Sequence, residues 1–162
     1  MSLFDRITNR KAAPPEKTAQ PEGAFRSTRG GSTASAPEAV LRGLAPDGGL
    51  YADASLSQRP FPWDEVLFLP PLKAAARILF HLLPDFDGMD EVAELSYDGK
   101  FDSPLLTPLI RAGDHYILEL FHGPTSAFKD VALSVLPVLM TRARKAQNPA
   151  GRTLILTATS GD

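Results

Sequence analysis

The order of elements near the end of this chain constrains its fold most. LTPLIRAGDHYILELF reads as two short β runs, residues 106–111 and 116–121, joined by a polar turn containing Gly113 and Asp114. Residues 128–146 then carry Val131, Leu133, Val135, Leu136, Leu139 and Met140 with Arg and Lys gathered toward the end, which predicts a helix whose C-terminal dipole favours cations. Pro137 inside it is a candidate kink. After the breaker at residues 148–151, RTLILTAT is a short apolar run next to Gly151, the pattern of a buried strand in a parallel sheet. Strand, helix, strand implies an α/β unit. One such strand with its helix leaves apolar faces bare unless another chain or further sequence covers them.

Upstream the pattern is different. Residues 1–22 are rich in Pro, Lys, Ala, Thr and Gln and poor in large apolar side chains, so they read as a disordered tail. FRSTRGGSTAS reads as a polar Gly/Ser loop, followed by a short helix over residues 37–43 and a turn at Pro46, Asp47, Gly48 and Gly49. Between residues 63 and 83 the apolar positions recur at helical spacing, interrupted by Pro70 and Pro71, which predicts two helices with the second starting near Pro71. A further short helix fits residues 89–96. Gly99, Asp102, Ser103 and Pro104 then break the pattern. The expected organisation is a tail over 1–22, a small domain over 23–100 and the beginning of a second domain over 101–162.

Composition narrows the function classes. With 17 basic and 19 acidic residues the formal net charge is -2, so no overall field steers the chain toward nucleic acid or an anionic membrane. There is no cysteine, which excludes disulfides, thiolate metal sites and a Cys nucleophile, and suits a reducing compartment such as the cytoplasm. The longest apolar stretches, near residues 74–83 and 131–140, are about half the ~20 residues a spanning helix needs. The start, MSLFDRITNRK, has no apolar core or small-residue cleavage site for a secretory signal, while an organellar transit peptide stays open. His81 and His115 are scattered, so no metal site is argued.

The chemistry-bearing segment is HGPTSAFKD, residues 122–130, which leaves a β run, turns through Gly123 and Pro124, and sets Thr125, Ser126 and Lys129 near a helix start. A helix N-terminus, positive from its free N–H groups, disfavours a further positive charge, and a neutral amine is what Schiff-base chemistry needs. Spacing alone leaves open a plain solvent-facing lysine in a first turn. Thr159, Ser160 and Gly161 at the end of the last apolar run offer hydroxyls and backbone N–H groups to an anion such as a carboxylate, or form an ordinary strand-to-helix turn. Arg26 and Arg29 in a Gly-rich stretch could pair with a phosphate, but such a stretch is more often a solvated loop. His122, ahead of a Gly-Pro turn, reads as a structural hydrogen-bonding residue rather than a catalytic one.

ELFHGPTSAFKD resembles the segment of threonine synthases that carries the cofactor lysine. STRG followed by APDGGLY resembles the opening signature of the family's amino-terminal domain, and the final ATSGD resembles the start of its ATSGDTG loop. The three segments occur in the family's order and together cover residues from about Phe25 to Asp162. The resemblance implies a small amino-terminal α/β domain followed by the first part of a fold type II, tryptophan synthase β-like, domain dependent on pyridoxal 5'-phosphate (PLP).

It further implies Lys129 as catalytic and cofactor-binding residue, Asp162 near the cofactor ring hydroxyl, and Thr159, Ser160 and Gly161 at the substrate carboxylate. The implied reaction converts O-phospho-L-homoserine and water to L-threonine and phosphate. A phospholyase relative that releases phosphate without forming threonine, and a non-catalytic binding fragment, are the alternatives. Because the family's enzymes are much longer, the chain is expected to be an amino-terminal fragment, inactive alone, that pairs with the carboxy-terminal part or self-associates through apolar faces. The family's glycine-rich phosphate loop is expected further on.

Overall fold

In the computed structural model, residues 25–147 and 150–158 are described. The fold opens with three short antiparallel strands, β1 (Phe25–Ser27), β2 (Thr33–Ala34) and β3 (Tyr51–Asp53), in the order β2-β1-β3. Arg26 pairs with Thr33 on one side and Ala52 on the other. The stretch read as a polar loop is therefore a hairpin. Gly30, at φ 82°, makes its turn, and the Ser27 amide donates to the Ser32 carbonyl at 2.8 Å. Strands of two and three residues are too short to display a period of two, so nothing in the residue pattern announced them.

Four helices form the main layer, with a single turn, α2 (Trp63–Val66), ahead of the second of them. Helix α1 (Ala36–Arg42) starts at Ser35, whose backbone amide donates to the Glu38 carboxylate at 2.9 Å, with Pro37 in the first turn. The same amide and the Ser35 hydroxyl hold the Glu38 carboxyl below its ordinary value. Helix α3 (Pro71–Leu82) starts at the Pro-Pro pair as its spacing predicts, and α4 (Met89–Tyr97) follows Gly88, whose φ of 66° needs no Cβ. A Cβ there would also come within 2.9 Å of Arg142 Nη1, which reaches across to the Asp87 carbonyl at 2.9 Å.

The hairpin expected downstream is present as β4 (Leu109–Ala112) and β5 (His115–Leu118), antiparallel, with Arg111 opposite Tyr116 and Gly113 in the turn. It is a separate two-stranded sheet. Helix α5 (Asp130–Gln147) then runs as one element through Pro137 and packs against both α1 and α4. The core joins the two halves of the chain: Phe25, Ala36, Ala76, Met89, Val92, Ala93 and Tyr97 meet Val135, Leu139 and Ala143. Ala36, Ala93 and Ala143 are fully buried, small side chains that let the helices approach closely. The Tyr97 hydroxyl donates to the Val131 carbonyl at 3.0 Å, and burial pushes its own titration up.

One expectation is corrected here. Residues 152–158 of RTLILTAT form no strand, and Leu154, Ile155 and Leu156 are 81%, 65% and 87% exposed. A parallel strand needs a neighbour for its N–H and C=O groups, and both sheets among the described residues are antiparallel and do not include it. The architecture is mixed α and β, with helices over small sheets. The tail over 1–22 lies outside the described residues, as do Thr159, Ser160, Gly161 and Asp162. Among the described residues no helix is long and apolar enough to cross a membrane.

Candidate functional site

Two loops gather the distinctive polar residues of this chain. In the first, the Asp47 carboxylate accepts from the Ser27 hydroxyl at 2.7 Å, the Gly49 amide at 2.9 Å and the Gly31 amide at 3.0 Å. The Ser27 hydroxyl, with the Gly49 amide behind it, holds Asp47 below its ordinary carboxylate value. The Arg29 guanidinium donates to the Asp47 carbonyl at 3.1 Å, and the Thr28 amide to the Leu50 carbonyl at 2.8 Å. A Cβ on Gly49 would sit 2.1 Å from Ser27 Oγ and would displace that hydroxyl from Asp47. STRG and PDGG thus form one knot, and Arg29 works inside it. Arg26 lies on exposed β1 backbone pairing, separate from that knot.

The second loop runs from Glu119 to Asp130. Asp130 opens α5, is 3% exposed, and accepts from both groups of Thr125, the amide at 2.7 Å and the hydroxyl at 2.7 Å. Its side chain comes so close to Gly123 that a Cβ there would lie 2.4 Å from Asp130 Cβ and 2.5 Å from Oδ2. The Ser126 amide donates to the Gly123 carbonyl at 3.1 Å, and Ser126 takes a left-handed φ of 59°, uncommon for a side chain other than glycine. At the other end His122 spans two carboxylates, Nδ1 to Asp102 at 2.5 Å and Nε2 to Glu119 at 2.7 Å, while its carbonyl accepts from the Asp102 amide at 3.0 Å. Glu119 first and Asp102 second raise the His122 titration above its ordinary value.

Lys129 sits at the exit of this loop. Its carbonyl accepts the Leu133 amide at 2.8 Å, so it is the N-cap of α5 rather than part of the first turn. The side chain is exposed, with Nζ 5.9 Å from the centre of the Phe128 ring. Lys129 borders a cavity of about 740 Å³ that lies between α3, α4 and the start of α5, walled by Ile78, Leu79, Phe101, Leu106, Phe128 and Val131 among others. Among the described lining residues Lys129 is the sole cation, and Tyr97 and Thr107 bring the hydroxyls.

Of the residues singled out in the sequence, Lys129 is described at the mouth of that cavity, and Thr159, Ser160, Gly161 and Asp162 lie outside the described residues. His122 holds the structural hydrogen bonds that its place before Gly-Pro suggested. What residue reading missed was the acceptor role of Asp130 and Asp47. Each carboxylate stands beside glycines and hydroxyls in sequence, a signal of loop-organising Asp that was available but unspecific.

Residues 24–62 match the family model described as the threonine synthase N terminus. The chain is 38% identical over 155 residues to threonine synthase of Schizosaccharomyces pombe, covering 85% of this chain and 29% of that enzyme. It is 33% identical over 136 residues to threonine synthase-like 1 of Macaca fascicularis, covering 77% of this chain and 17% of that protein. In three dimensions it is similar to the crystal structure of PLP-bound threonine synthase from Brucella melitensis, with a TM-score of 0.68 and 30% identity over 76% of this chain and 28% of that one. The chain spans under a third of the length of each.

Proposed function

We propose that this chain, which belongs to the threonine synthase family through its amino-terminal part, supplies the cofactor lysine of an enzyme that converts O-phospho-L-homoserine and water to L-threonine and phosphate. The observation that supports this most is one amine in a braced loop: Lys129 is exposed, borders the cavity, and is fixed by backbone bonds of α5 on one side and by Asp130 on the other. The cofactor is PLP, an electron sink once bound. What fits it here is the reachable amine beside the apolar side chains of Phe101, Phe128 and Leu133.

Lys129 would hold the cofactor through its amine, and the same amine would move protons at the α and β carbons of the substrate. By the resemblance, Thr159, Ser160 and Gly161 would hold the substrate carboxylate and Asp162 would lie near the cofactor ring hydroxyl. We assign residues 23–100 to the amino-terminal domain and residues from 101 to the start of the cofactor-binding domain, with α5 bridging the two through the shared core. The setting is the cytoplasm.

Exposed apolar side chains, Leu109 and its cross-strand partner Leu118 on the hairpin and Leu154, Ile155 and Leu156 near the end, are the surface that the carboxy-terminal part of the protein, or a second copy, covers. Borohydride reduction of the parent protein with PLP, followed by peptide mapping, tests the reading: the pyridoxyl label is expected on Lys129 and lost in Lys129→Ala. A label elsewhere overturns it. The second reading is a phospholyase relative that releases phosphate without forming threonine. Assay of both products in the parent protein separates them.

A further inference from the structure

Both ring nitrogens of His122 lie within hydrogen-bond distance of carboxylate oxygens, and a carboxylate can only accept, so the arrangement is satisfied in full when each nitrogen carries a proton. The ring is stacked on Phe121, with centroids 4.6 Å apart. The Asp102 amide also bonds the His122 carbonyl, and the chain that leaves His122 is held next by the Ser126 amide to the Gly123 carbonyl, by Thr125 to Asp130, and by the Asp130 amide to the Ala127 carbonyl. Lys129 is the residue this series delivers. We propose that His122, bridging Glu119 and Asp102, is a positioning residue that holds the loop presenting Lys129; its consequence for cofactor capture rests on the reading of Lys129 given above.

The charged groups facing the ring are Glu119 and Asp102, while Asp130, across Gly123, is committed to Thr125. The bridge is complete below the ordinary histidine value of 6.5. As pH rises through the higher value of the folded state, one nitrogen loses its proton, two lone pairs then face each other, and one arm opens. Glu119 is the stronger arm, since its side chain is 19% exposed against 77% for Asp102 and is less screened by water.

The test uses the full chain with ring-labelled histidine, in which His81, His115 and His122 give three signals. The His122 ring is expected to titrate above its ordinary value of 6.5. The Thr125 and Ser126 amides are expected to exchange faster, relative to the Asp98 amide at the end of α4, once pH passes that midpoint. His122→Gln, which keeps a donor for only one carboxylate, is expected to raise their exchange roughly fivefold at low pH, the factor for one hydrogen bond of ordinary net strength, and to abolish the pH step. A His122 ring that titrates at or below 6.5, or a step that survives in His122→Gln, overturns the proposal.

Should His122→Gln fail to fold, Glu119→Gln and Asp102→Asn keep an acceptor and drop the charge. The His122 midpoint is expected to fall in both, further in Glu119→Gln, and an unchanged midpoint in both overturns the bridge. In the parent protein, borohydride-trapped pyridoxyl is expected to accumulate on Lys129 more slowly in His122→Gln than in the unsubstituted protein. Equal trapping rates overturn the positioning role. No label on Lys129 in the unsubstituted protein defeats the cofactor-lysine reading, and the exchange step then still supports or overturns the bridge by itself.

Discussion

The Asp47 knot and the Asp130 loop are built alike and put to different ends. In each, one carboxylate collects N–H and O–H donors, Asp47 from both segments of its knot and Asp130 from Thr125 of its own loop, and one glycine stands where a Cβ would strike the atoms so gathered. In the Asp47 knot the cation of the segment, Arg29, is turned inward onto a backbone carbonyl. In the Asp130 loop the cation, Lys129, is turned out to the edge of a cavity. The same bracing chemistry therefore makes a scaffold in one place and a presented amine in the other, and what distinguishes them is where the long side chain is spent.

The largest effect that separates the two loops is expected from Asp130→Ala. It removes a buried acceptor and leaves the Thr125 amide and hydroxyl without their partner, at a cost of about 3 kcal/mol read by denaturant unfolding. Next is Gly49→Ala, about 2 kcal/mol, because Ser27 Oγ must vacate the place its Cβ takes; trapping of PLP on Lys129 in the parent protein is expected to be unchanged. An equal loss of trapping in Gly49→Ala would mean that the two loops are not independent.

The pH responses are expected to have opposite signs. Asp47 is held low, so its contribution is present above the ordinary 3.8 and is lost as acid carries pH down through the folded value. Acid unfolding of Asp47→Asn should accordingly be less steep than that of the unsubstituted chain. His122 is held high, so its contribution is lost on the alkaline side. The smallest expected effect on stability is that of Lys129→Ala, about 0.5 kcal/mol or less at an exposed cap position, together with complete loss of PLP capture in the parent protein. Stability measured by thermal unfolding beside trapped label checks both halves of that statement.

Much of the helical layer could be read from residues alone. Pro71 at a helix start, the 3.6 period of Leu72, Ala75, Ala76 and Leu79, and the apolar stripe of α5 each state their structure locally, and the Gly113 turn stated the second hairpin. The first sheet was hidden because β1 and β2 hold too few residues to show alternation, and β1 is completed by pairing with β3, more than twenty positions away. RTLILTAT misled for the converse reason: an apolar, β-rich run becomes a strand only beside another strand. Lys129 stood out through its motif, whereas Asp130 looked like its incidental neighbour. Adjacent residues at a helix start point in different directions, and only the folded loop reveals that one supports and the other is displayed.

Helix α5 also sets a timetable. Ala36 and Ala143 belong to one buried cluster, yet they are separated by 143 − 36 = 107 positions along the chain. At about 5–20 residues per second on a ribosome, α1 waits roughly 5–20 s after synthesis for the surface that will cover it. During that interval its apolar face is open to whatever is nearby, so nascent chains of this protein depend on early shelter, and pausing of translation before residue 143 should raise their demand for chaperones.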